Sequence, residues 1–132
     1  MTDSNTIKAL ANQIEIQVKT QYIEEQSETS KDRFVFAYAV TIKNNSDETV
    51  QLLSRYWKIL DGNEHIHEVE GEGVVGQKPV LEPGKDFSYT SGTAIATPVG
   101  QMEGHYILED QQGSSFEVKI PTFRLAHQAM IH

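Results

Sequence analysis

Apolar and polar residues alternate without a slip in Ile14-Glu15-Ile16-Gln17-Val18-Lys19. A period of two sends successive side chains to opposite faces, so the segment reads as a strand with one wet face. The run from Phe34 to Ile42 repeats the pattern with larger side chains. Phe34, Phe36, Tyr38, Val40 and Ile42 share one face, and Val35, Ala37, Ala39 and Thr41 share the other. The second set is small enough for a neighbouring layer to lie close. This run is the expected central strand, with its bulky face in the core.

Turn signals divide the rest of the chain into short strands. Asn44-Asn45-Ser46-Asp47 is a turn of residues that bond their own backbone. From Val50 to Leu60 a strand carries the single tryptophan; Trp57 and Ile59 share a parity with Arg55, which calls for a bulge or an edge. Asp61-Gly62-Asn63 signals a hairpin, followed by a strand over Glu64 to Val69 with Ile66 expected inside. Gly71 to Pro79 reads as a glycine-rich loop, and Glu82-Pro83-Gly84-Lys85 as a turn. Further strands run through Phe87, Tyr89 and Ser91, from Tyr106 to Glu109, and through Phe116, Val118 and Ile120, where Pro121 is expected to stop the chain.

Seven or eight short strands with no convincing amphipathic helix imply an all-β fold. The expected form is a two-sheet antiparallel sandwich of the immunoglobulin or fibronectin type III kind. Gly104-His105-Tyr106-Ile107-Leu108 has the spacing of a tyrosine corner; a plain core tyrosine at Tyr106 explains it equally well. One domain is expected over residues 13–125, between loose tails at 1–12 and 126–132.

The balance of 19 acidic against 11 basic residues gives a net charge of −8, and the basic residues are scattered. Phosphate backbones and anionic membranes require clustered cations, so neither nucleic acid nor a membrane surface is an expected partner. There is no cysteine, which removes disulfides, thiol nucleophiles and thiolate metal sites. No apolar stretch approaches the ~20 residues of a membrane span, and the first residues lack the pattern of a secretory signal. A cytoplasmic protein is expected.

Gly71-Glu72-Gly73-Val74-Val75-Gly76 matches the dinucleotide-binding spacing, in which glycines let backbone approach a pyrophosphate on a helix N-terminus. Pro79 and Pro83-Gly84 block the helix that this chemistry needs, and Glu72 puts a negative charge where phosphate would sit. Two readings remain: a loop needing positive φ or close packing, or a backbone nest in which Gly71, Gly73 and Gly76, helped by Lys78, hold a small anion.

The stretch from Gly71 to Tyr106, GEGVVGQKPVLEPGKDFSYTSGTAIATPVGQMEGHY, resembles the ApaG protein family. So do Arg55-Tyr56-Trp57-Lys58-Ile59 with Asp61, and Ile120-Pro121-Thr122-Phe123-Arg124-Leu125-Ala126. The resemblance implies a fibronectin type III-like sandwich in a small cytoplasmic bacterial protein, linked by name to cobalt and magnesium resistance or efflux. It also implies an interaction role, because the same domain occurs in some eukaryotic F-box and polymerase-interacting proteins. No catalytic residues and no cofactor come with it.

His65 and His67 stand two apart and would leave one strand face together, a pattern that can bind a transition metal such as cobalt. The competing reading is a solvated face. Ser88 and Thr90 share a face with Asp86 but have no histidine nearby in sequence, and Glu109-Asp110 reads as a solvated turn. Trp57 and Phe123 are expected in the core; Arg55 and Tyr56 are the candidates for contact with a partner. The expectation is a non-enzymatic module that binds a protein partner, as monomer or homodimer. The alternatives are a sensor of small anions or divalent metals in cation homeostasis and, further off, a nucleotide phosphohydrolase.

Overall fold

The computed structural model describes residues 4–127. One helix, α1 (Ser4–Ala11), precedes eight strands: β1 (Ile14–Tyr22), β2 (Phe34–Asn44), β3 (Val50–Asp61), β4 (Ile66–Glu72), β5 (Val80–Leu81), β6 (Asp86–Ile95), β7 (Val99–Glu109) and β8 (Ser115–Ala126). They form two antiparallel sheets, one of three strands in the order β1-β2-β6, the other of five in the order β4-β3-β7-β8 with β5 also on β3. The expected sandwich is present, and β2 is the middle strand of its sheet. Its bulky face points inward: Phe34, Phe36, Tyr38, Val40 and Ile42 are each 6 % exposed or less.

Two bulges reset the alternation that burial imposes. In β3 the inward residues are Val50 and Leu52 before the register shift at Leu52/Ser54, and Trp57, Ile59 and Asp61 after it. The bulge falls before Arg55, so Arg55 and Trp57 keep one parity and stay on the same face of β3. In β8 the inward set changes from Phe116, Val118 and Ile120 to Leu125 across a shift that falls at Pro121-Thr122. Pro121 therefore bends β8 and does not end it. A proline is tolerated there because β8 lies at a sheet edge and the bulge relieves it of a ladder bond.

The expected tails are corrected by this structure. Ser4–Ala11 is helical, Leu10 is 3 % exposed, and Ile7 and Ala11 pack on the core from the same helix face. Ala126 still belongs to β8, and the ring of His127 stacks on Tyr22 with centroids 3.8 Å apart; residues 1–3 and 128–132 of the expected tails lie outside the described residues. Asp110 is also corrected. It is buried, and its Oδ1 accepts the N–H groups of Gln112 at 3.0 Å and Ser114 at 2.9 Å, closing the β7–β8 turn. Asn44 does similar work in the β2–β3 turn, donating to the carbonyls of Glu48 and Leu81 and accepting from Ser46.

Tyr106 is fully buried and makes no tyrosine corner; its hydroxyl bonds that of Tyr89 on the opposite sheet. Burial pushes Tyr89 up to about 12, against an ordinary 10.0, and pushes Tyr106 higher still, aided by the neighbouring hydroxyl. The folded protein thus keeps two protons that the unfolded chain releases from pH 10 upward. Stability is whole below that pH and falls as pH rises toward 12. Its expected slope approaches ~1.4 kcal/mol per pH unit for each tyrosine. Urea unfolding at a series of alkaline pH values measures it, and Tyr106→Phe should roughly halve the slope.

The two flanks of the sandwich differ. On one side β1 packs beside β8 and closes the gap between sheets, with α1 lying against β8. On the other side the larger sheet extends past the smaller one. There β4 is bonded to β3 alone, and all of its residues are exposed except the half-buried Gly71.

Candidate functional site

Three neighbouring features surround β4: the hairpin turn that begins it, the glycine loop that follows it, and the outer face of the sheet beside it.

The β3–β4 turn is organised by Asp61. Its Oδ1 accepts the N–H groups of Asn63 at 2.8 Å and His65 at 3.0 Å, and its other oxygen lies 3.4 Å from His65 Nδ1. Burial raises the Asp61 carboxyl, but the two N–H donors and the imidazole outweigh it and hold the group below its ordinary value. His65 therefore stands at the turn and not within the strand, which begins at Ile66. His65 and His67 both line an open groove of about 820 Å³, together with Arg33, Glu64 and Ala94. Among the described residues no three or more His, Cys, Asp or Glu side chains are arranged to hold a metal. Ile66 is 52 % exposed, contrary to the expected inward position, because its pairing with Leu60 turns it to the outer face of the sheet, opposite to Trp57 and Ile59.

The glycine loop is explained by packing. Gly71 belongs to β4, so the loop begins later than expected. The Arg55 guanidinium lies on Gly71, where a Cβ would come within 2.6 Å of Nη1, and donates to the carbonyls of Glu72 at 3.1 Å and Gly73 at 3.0 Å. Val74 and Gln77 exchange two backbone hydrogen bonds around Val75 and Gly76, both left-handed at φ 43° and 78°. This is the tight hairpin turn whose twist suits antiparallel chains. Gly73, at φ 64°, leaves a Cβ only 2.3 Å from the Gln77 carbonyl oxygen. No helix follows. Of the groups expected to hold an anion, the Gly73 amide donates to Leu53 and the Lys78 ammonium lies 3.5 Å from Glu72.

Tyr56 lies on the outer face, across from Glu70 on β4 and His105 on β7. Its ring stacks on His105 at 5.0 Å, and its hydroxyl donates to Glu68 at 2.8 Å. That bond raises the Tyr56 hydroxyl above its ordinary value, helped by burial and by the charges of Glu68, Glu70 and Glu103. Of the two expected contact residues, then, Tyr56 faces outward while Arg55 braces the loop. Ile66, Glu68, Glu70 and Glu72 pair with Leu60, Lys58, Tyr56 and Ser54, which places all four on this outer face. In the sequence Glu68 and Glu70 stand out only as residues of the parity opposite to His65 and His67; the register shows them forming one outward row with Glu72.

These features define a small antiparallel β-sandwich of the fibronectin type III-like kind whose larger sheet overhangs its smaller one. The chain belongs to the ApaG family: it matches the ApaG domain over residues 24–110. It is 54 % identical over 117 residues to Protein ApaG of Pectobacterium carotovorum, covering 89 % of this chain and 94 % of that one. Protein ApaG of Vibrio campbellii is 57 % identical over 113 residues, with 86 % and 90 % covered. A crystal structure of an ApaA protein from Bordetella pertussis superposes with a TM-score of 0.84 at 46 % identity, covering 86 % of this chain and 92 % of that one. A second X-ray structure, of a structural genomics target, gives 0.88 at 41 % identity with 93 % of each chain covered. Among the described residues, no helix is long and apolar enough to cross a membrane.

Proposed function

We propose that the protein is a non-enzymatic cytoplasmic module that binds a protein partner along β4 and the outer face beside it. One observation carries this reading: β4 has water on both faces and, among the described residues, no strand beyond it. A strand held from one side is a ready template for another chain. The arrangement nearest to catalytic geometry is Asp61 orienting His65, and among the described residues no hydroxyl or thiol nucleophile lines the groove into which that histidine opens. The family's link to cobalt and magnesium resistance sets the process in which the partner is sought.

Photo-crosslinking in living cells of the source bacterium tests the proposal. A photoreactive residue in place of Glu70 should give one discrete adduct, and the same residue in place of Lys19, on the closed flank, should give none. Equal adducts from both positions, or none from either, would overturn the reading.

A second reading, binding of a divalent transition metal, has the shared groove of His65 and His67 behind it. Calorimetric titration with cobalt should then release heat that the His65→Ala, His67→Ala double variant loses. Identical heats from the two proteins end that reading.

A further inference from the structure

The strand β4 combines three properties that few surface strands have together. It runs for seven residues paired to β3 from Ile66 to Glu72, with no proline and no bulge to blunt its free side. Its outer face carries Glu68, Glu70 and Glu72 in a row, at about 7 Å intervals for alternate strand residues. Its inner face carries Val69, 41 % exposed because the smaller sheet does not reach beneath it. Among the described residues the one cation bridged to the acidic row is Lys78, on Glu72. The raised Tyr56 hydroxyl reports the same negative field from beside the row.

The row also decides against a second copy of this chain. Pairing β4 with itself, antiparallel and with outer faces aligned, requires opposite residues of the same parity. A register centred on Val69 sets Glu68 against Glu70, and one centred on Glu70 sets Glu68 against Glu72 and Glu70 against itself. Like charges directly opposite are destabilising. A strand bearing the opposite charge meets no such opposition.

We propose that β4 accepts an extended basic segment of a partner protein as an additional strand, with lysine or arginine at alternate positions over Glu68, Glu70 and Glu72 and small apolar residues over Val69. The inference rests on the binding-module reading and names the partner's chemistry. Main-chain hydrogen bonds to the free edge supply affinity, and the alternating cations fix the register.

The probe is a nine-residue capped peptide with lysine at alternate positions and valine or threonine between, added to the full chain. Amides of Ile66 to Glu72 that do not bond β3 should gain protection from hydrogen exchange. Binding should weaken with added salt, and by roughly tenfold in a Glu68→Lys, Glu70→Lys double variant. These residues are exposed, and near-ultraviolet circular dichroism of Trp57 checks that the variant is folded. A peptide N-methylated on its bonding edge should not bind. The proposal is overturned if an isomer with its lysines in one block binds equally without protecting β4, if protection appears on β6 instead, or if the peptide does not bind. It is also overturned by a neutral-pH dimer that protects β4 without peptide. A crosslinked adduct at position 70 with no peptide effect removes the basic strand and leaves the module; loss of both removes both.

Discussion

Replacing Trp57 by alanine is expected to lower stability by about 3–5 kcal/mol, measured as the loss of unfolding free energy in urea. The indole is 2 % exposed and meets three rings edge-on: Tyr38 at 5.3 Å, Phe123 at 5.7 Å and Tyr106 at 6.3 Å. Tyr38 comes from the small sheet and the others from the large one, so removing the indole opens a cavity between layers. The cost combines lost transfer energy with that cavity, and is a large share of the ~5–15 kcal/mol that holds a domain folded. Trp57→Phe should cost less, because part of the ring volume stays. A loss below about 1 kcal/mol for the alanine variant would mean that the ring is not seated between the sheets.

Gly104→Ala is expected to be of similar severity, about 3 kcal/mol or more, and to fail to accumulate as folded protein if the sheet cannot shift. Gly104 stands opposite Trp57 where β7 meets β3. A Cβ there would lie 2.0 Å from the Tyr56 carbonyl oxygen and 3.2 Å from the Trp57 Cα. Both obstacles are backbone of a central strand, so neither can rotate away. Gly92→Ala is the matched control, since its nearest neighbour would be the Phe36 carbonyl oxygen at 3.4 Å. That change in β6 should move stability by less than about 1 kcal/mol. Equal costs for the two variants would contradict the close approach of β3 and β7.

The layers of this fold were legible where the period of two ran unbroken, as in β2, because one buried face dictates the pattern directly. They were less legible at Leu53 and Pro121-Thr122. A bulge shifts the parity by one residue, and only the partner strand reveals where. In β3 the shared parity of Arg55 and Trp57 points to an irregularity but not to its place, which lies before both; in β8 the proline reads as a stop. The eight residues of α1 offer little more than two turns of helical spacing, with Ile7, Leu10 and Ala11 on one face. Ile66 was misplaced because the face a strand residue takes is set by its register on the partner strand, and the β3–β4 pairing turns Ile66 outward with Leu60.

The candidate site shows the same division. That the glycines of Gly71, Gly73 and Gly76 need room was readable from their spacing, but the guanidinium of Arg55 above Gly71 joins residues that only the β3–β4 register brings together. The glutamates of β4 were visible one by one. Their meaning depends on the strand having, among the described residues, a neighbour on one side only.

Because α1 leads into the flank that β1 and β8 close, and β8 finishes on it, both entrances to the domain lie on the sealed side. A linker joined directly at Ser4 or at His127 therefore starts opposite β4. Held from either of those two points, the molecule presents the same bare margin to solution.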